Sequence, residues 1–139
     1  MYATMYGLHV IAAIAMLIYV SLPFMIRRAA SAPVSDQASA VRSAARLNRW
    51  GQILLVIAFL SGGYMIGKVM SGYSMAWLVV VIILVLAIGA FSGILGKPLR
   101  RWSAQQADDA DIRKAGTFSW LAAIAYVLML IIMLFPGIL

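Results

Sequence analysis

His9 is the only histidine in the chain, and it lies in a run from Tyr2 to Ile26 that carries no charged residue. An imidazole in such a run is a candidate functional group, because polar side chains are costly in lipid and usually face a packed interior or a wet cavity. Two chemistries are open to it. It can hydrogen-bond a neighbouring helix, for instance through a tyrosine hydroxyl, and hold no ligand. It can instead ligate a soft metal or a haem iron. Met5 precedes His9 by four residues, and Met129 and Met133 have the same spacing, so each pair shares a helix face. Thioether sulfur with imidazole suits Cu(I) and needs no cysteine, of which the chain has none. The candidate metal ligands are therefore His9, Met5, Met65, Met129 and Met133. Methionine is equally an adaptable core filler. Lys68 either snorkels to an interface or sets a positive charge beside His9, where it could hold an anionic group such as a haem propionate. His9 and Lys68 are thus the candidate cofactor-binding residues, with copper and haem the two groups considered.

These residues must be positioned by elements that suit an unusually apolar chain. Of 139 residues, 65% are hydrophobic and 11% charged, against about 45–50% and about 25% in soluble domains. A single domain of this size has too little interior to bury that surface, so the surplus is expected to face lipid. Four apolar runs reach the roughly 20 helical residues a bilayer requires. They predict helices over about 2–26, 50–70, 75–96 and 117–135, joined by loops 27–49 and 97–116. The fold class expected is all-α, a polytopic four-helix bundle of two helical hairpins forming one membrane domain over 1–139. Pro136-Gly137 should end the last helix, and Pro23 should kink the first. The first run lacks a basic segment ahead of it and is followed by Arg27-Arg28, which argues for a span rather than a cleaved signal.

Charge predicts orientation. Ten of the eleven Lys and Arg residues fall in 27–49 and 97–116; Lys68 is the exception. Both stretches lie on the same side of a four-span chain, which places them in the cytoplasm of a multi-pass cytoplasmic-membrane protein with both termini outside. The net charge of +7 thereby reflects topology rather than nucleic-acid binding. In this arrangement Met1, Met5, Met65, Met70, Met75, Met129 and Met133 fall in the outer half, with Met16 and Met25 deeper. Trp50, Trp102 and Trp120 should lie near the inner interface and Trp77 near the outer one. Arg42, Arg46 and Arg49 share a helical face, so 39–49 reads as a cytoplasmic extension of the second helix resting on anionic headgroups. Asp108, Asp109 and Asp111 ahead of Arg113-Lys114 read as a helix start. The two halves also share a loose repeat of span, double arginine, basic stretch and span. An old hairpin duplication and the ordinary basicity of inside loops explain it equally well.

Gly63/Gly67 and Gly89/Gly93 form small-xxx-small pairs suited to close helix approach within the bundle or in a homo-oligomer. Phosphate-binding, dinucleotide and zinc-protease motifs are absent from the sequence, and no span contains an acid for a proton relay. An enzymatic role is therefore not indicated.

Three segments carry a family resemblance: Leu8-His9-Val10-Ile11-Ala12-Ala13, Ser61-Gly62-Gly63-Tyr64 and Gly96-Lys97-Pro98-Leu99-Arg100-Arg101. Together they resemble small bacterial four-helix membrane proteins similar to the membrane portion of copper-resistance D proteins, and more distantly HemJ-type protoporphyrinogen oxidases. The resemblance implies a four-helix membrane fold and a helix-one histidine, here His9, that takes part in copper or haem handling. The chain departs from the HemJ pattern because the helix from Met75 to Gly96 has no charged residue, and bis-histidine haem ligation would need two chains. Three functions follow as alternatives: copper binding or transport, haem-associated redox chemistry, and a ligand-free accessory subunit.

Overall fold

The computed structural model covers residues 1–139, with only the side chain of Met70 outside what is described. The chain is all-helical: α1 (Tyr2–Ala15), α2 (Ile18–Ser31), α3 (Val34–Val69), α4 (Met75–Ser103) and α5 (Asp109–Leu134), with single 3₁₀ turns at Met70–Gly72 and Pro136–Ile138. The pair α1–α2 acts as one long element, so four helices are long and apolar enough to cross a membrane. They run alternately up and down. Neighbours pack in a ring in which α3 lies against α1, α2 and α4, α4 against α5, and α5 against α2. One end of the bundle holds both termini and the α3–α4 turn; the other holds the double arginines.

The helices overrun their apolar cores. The stretches 27–49 and 97–116, expected as loops, shrink to Ala32–Pro33 and residues 104–108. Hydropathy marks what lipid can accept, whereas a helix continues until something breaks it. Here the breaks are Pro33, which disfavours helical backbone in Ala32, and Gln105 at φ 60. At 36 residues α3 is about 54 Å long by its rise, well beyond a hydrocarbon core of about 30 Å. Asp108 caps α5 in a capping box with Asp111, and Asp111 also pairs with Arg101 at 2.9 Å. Acceptance of the Asp111 backbone N–H holds the Asp108 carboxyl below its ordinary range, with Arg101 adding a smaller pull.

The helix of the first span is interrupted at Met16–Leu17, and Pro23 sits buried inside a continuous α2. There the ladder tightens: the Leu17 N–H bonds the Ile14 carbonyl and the Tyr19 N–H bonds the Met16 carbonyl. The Ala13 carbonyl thereby loses its usual partner at Leu17, and the Tyr126 hydroxyl donates to it instead. A side chain from α5 thus satisfies the carbonyl that the interrupted ladder leaves open. Of the small-xxx-small pairs, a Cβ at Gly63, Gly67 or Gly93 would meet nothing within 4 Å in this chain, and one at Gly89 would meet only Leu55, at 3.6 Å. The close approaches occur at Gly51, under the ring of Tyr19, and at Gly62, under the ring of His9. Trp77 and Trp102 are buried and tie helices together, to the Ile132 carbonyl and the Gln37 amide oxygen respectively, while Trp50 and Trp120 remain exposed.

No more than 33% of the apolar window of any span is buried inside the bundle. Side chains such as Ile11, Ile14, Val56, Leu60, Leu86 and Leu128 face outward. Such a continuous apolar surface exceeds what a monomer exposes to water. The chain has the character of a multi-pass membrane protein.

Candidate functional site

His9 is held by α3. Its Nδ1 lies 2.8 Å from the Ala58 carbonyl oxygen and 3.3 Å from Ser61 Oγ. A carbonyl can only accept, so Nδ1 carries the proton and donates, and the lone pair is left on Nε2. Ser61 is fixed in turn, since its hydroxyl donates to the Ile57 carbonyl at 2.7 Å. The neighbouring-helix hydrogen bond foreseen for His9 therefore exists, but its partner is a backbone carbonyl rather than a tyrosine. The ring can approach this closely because position 62 lacks a side chain: a Cβ there would lie 2.9 Å from His9 Cε1 and 3.2 Å from Nδ1.

His9 also lines a cavity of about 180 Å³ toward the terminal end of the bundle. Three helix faces build it around His9. Leu55, Ala58, Phe59, Gly62, Gly63 and Ile66 are the i, i+3, i+4, i+7, i+8, i+11 stripe of α3. Leu78, Val81, Ile82 and Val85 form the matching stripe of α4. Met129 and Met133 come from α5. They continue the face on which Tyr126 reaches α1, so one stripe both meets the interrupted turn and supplies two thioethers. Met129 is buried and Met133 half-buried. The imidazole is the one polar side chain in an otherwise apolar wall.

The sequence candidates separate accordingly. His9, Met129 and Met133 come together. Met5 lies one turn nearer the chain end on α1, and Met65 is turned about 100° from Ile66; neither lines the cavity. Lys68 also lies apart, with its ammonium 5.7 Å from the centre of the Tyr64 ring, one turn back on the same helix. Among the described residues no cluster of three or more His, Cys, Asp or Glu is placed to hold a metal, so a metal here would depend on thioethers. Gly62 stands in the sequence within Ser61-Gly62-Gly63-Tyr64, with nothing there to tie it to His9.

A second hollow, of about 170 Å³, adjoins the first at the α3–α4 turn and is bordered by Tyr73, Ser74, Met75 and Trp77. Comparison with family models, with curated proteins and with solved structures finds no match to this chain.

Proposed function

We propose that this chain is a multi-pass protein of the bacterial cytoplasmic membrane, akin to the membrane portion of copper-resistance D proteins, and that it binds or passes Cu(I) through His9 Nε2 and the thioethers of Met129 and Met133. Its basic stretches face the cytoplasm and both termini face outside, following the positive-inside bias. The carrying observation is the commitment of His9 Nδ1 to the Ala58 carbonyl. That bond leaves the lone pair on Nε2, and His9 lines the same cavity as Met129 and Met133. Histidines that ligate metals characteristically donate their other ring nitrogen to such a carbonyl, which fixes the tautomer and the ring plane. Neutral soft donors in an apolar wall favour a soft monovalent cation over a hard divalent one.

Haem fits less well. The cavity is smaller than the roughly 300–1,000 Å³ typical of organic-ligand pockets, the chain offers a single imidazole, and Lys68 is directed at Tyr64 rather than the cavity. Nothing in the fold gives the ligand-free accessory role a feature of its own.

Metal analysis of detergent-purified protein from copper-supplemented cells tests the reading. Wild-type protein should hold copper in stoichiometric amount, and the triple variant His9→Ala, Met129→Leu, Met133→Leu should hold none while eluting as the same folded species. Equal copper in both preparations, or none in wild type, rejects the site.

A further inference from the structure

The His9 cavity and the hollow at the α3–α4 turn share two walls, Ile66 and Leu78. From this adjacency we infer that the hollow is the vestibule through which a soft cation reaches the cavity from outside, with Ile66 and Leu78 as the partition and Met75 as the first thioether it meets. The inference rests on the copper reading of the inner cavity.

Charge determines the direction of approach. A cation arriving through the apolar flank of the bundle would have to shed its water in hydrocarbon, at a cost no apolar wall repays. The vestibule instead opens at the end of the bundle, where Tyr73, Ser74 and Met75 are exposed, Met75 to 70%. Its rim is also built to keep its shape. Tyr73 stacks on Trp77 with ring centres 4.5 Å apart. The Trp77 indole donates to the Ile132 carbonyl at 3.1 Å, and its backbone N–H is capped by Ser74 Oγ at 3.0 Å. Two aromatic faces and an exposed thioether thus border the mouth, a surface that attracts a soft cation without binding it as tightly as an imidazole would. Beyond the rim, Ile66 and Leu78 border both the vestibule and the space beside His9.

The natural absence of cysteine makes the route directly testable. Val81 lines only the inner cavity and Met75 only the rim. In intact cells, Val81→Cys should react with a small membrane-impermeant methanethiosulfonate reagent. Adding Leu78→Trp should slow that reaction about tenfold, within the range over which single changes shift association rates, while Met75→Cys reacts equally well with and without it. Ile66→Phe serves as the second partition variant should Leu78→Trp fail to accumulate. An unreactive Val81→Cys beside a reactive Met75→Cys, or a rate indifferent to both partition variants, overturns the route. The failures of the two proposals are distinguishable. Gated cysteine reactivity in a protein that carries no copper defeats the copper site and leaves the vestibule standing. Full copper content with an unreactive Val81→Cys does the reverse.

Discussion

One carbonyl and one missing side chain decide what the His9 imidazole can do. The Ala58 oxygen takes the Nδ1 proton, and the bare backbone at Gly62 lets the ring lie against α3. A methyl group at position 62 would press on Cε1 at 2.9 Å and on Nδ1 at 3.2 Å. The ring is held by a hydrogen bond, so relief means breaking that bond or parting α1 from α3. Overpacking of this kind costs about 1–3 kcal/mol. Gly62→Ala should therefore lower the melting temperature in detergent and weaken Cu(I) affinity about tenfold, the equivalent of some 1.4 kcal/mol. Gly63→Ala meets open space and should leave melting unchanged; equal losses in the two variants would argue against the ring contact. At this scale the sequence was legible in its residue types. A lone histidine in an apolar run and paired methionines stood out. Which methionines join the histidine was not legible, because that depends on the rotation of α1, α3 and α5 about their axes, and the outward face of each helix is as apolar as the inward one.

Helix termini were the most readable elements where polar chemistry marks them and the least where hydropathy alone was followed. The acids at 108, 109 and 111 announced the start of α5, and the capping box there bears this out. The extension of α3 over 39–49 was legible in the face shared by Arg42, Arg46 and Arg49, whereas the overruns of α2 and α4 went unread, since arginine and leucine are good helix formers and nothing before Pro33 or Gln105 stops the chain. The interruption at Met16–Leu17 left no trace in its own residues; its partner, Tyr126, lies more than a hundred positions away. The cap carries a pH dependence. The Asp108 pKa is lowered in the folded chain, chiefly by the Asp111 N–H. Its stabilisation is therefore complete above the ordinary carboxylate range and is lost as pH falls through the lowered value. The protection of first-turn α5 amides, taken relative to their intrinsic exchange at each pH, should fall as the pH drops below about 4, and Asp108→Ala should show the same loss of protection at neutral pH. Protection that is insensitive to both changes would remove the cap from the account.

At the scale of the whole molecule, the ring of four long helices followed from composition and segment length, because lipid imposes one spacing on any helix that crosses it. Glycine positions did not translate into contacts so simply. A Cβ at Gly63 or Gly67 would meet nothing within 4 Å in the chain, while Gly51 and Gly62, outside any pair, make the close approaches. Association of helices in lipid rests on local fit rather than on expulsion from water, so a motif permits a contact without requiring it. The bundle as a whole brings His9 of α1 and Met129 and Met133 of α5 to the walls of a single cavity. Copper K-edge X-ray absorption on the loaded, purified protein interrogates that convergence directly. The account predicts reduced copper with a first shell of imidazole nitrogen and thioether sulfur, the sulfur contribution vanishing in Met129→Leu, Met133→Leu. A shell of nitrogen and oxygen alone, or sulfur scattering that survives the double substitution, would contradict it.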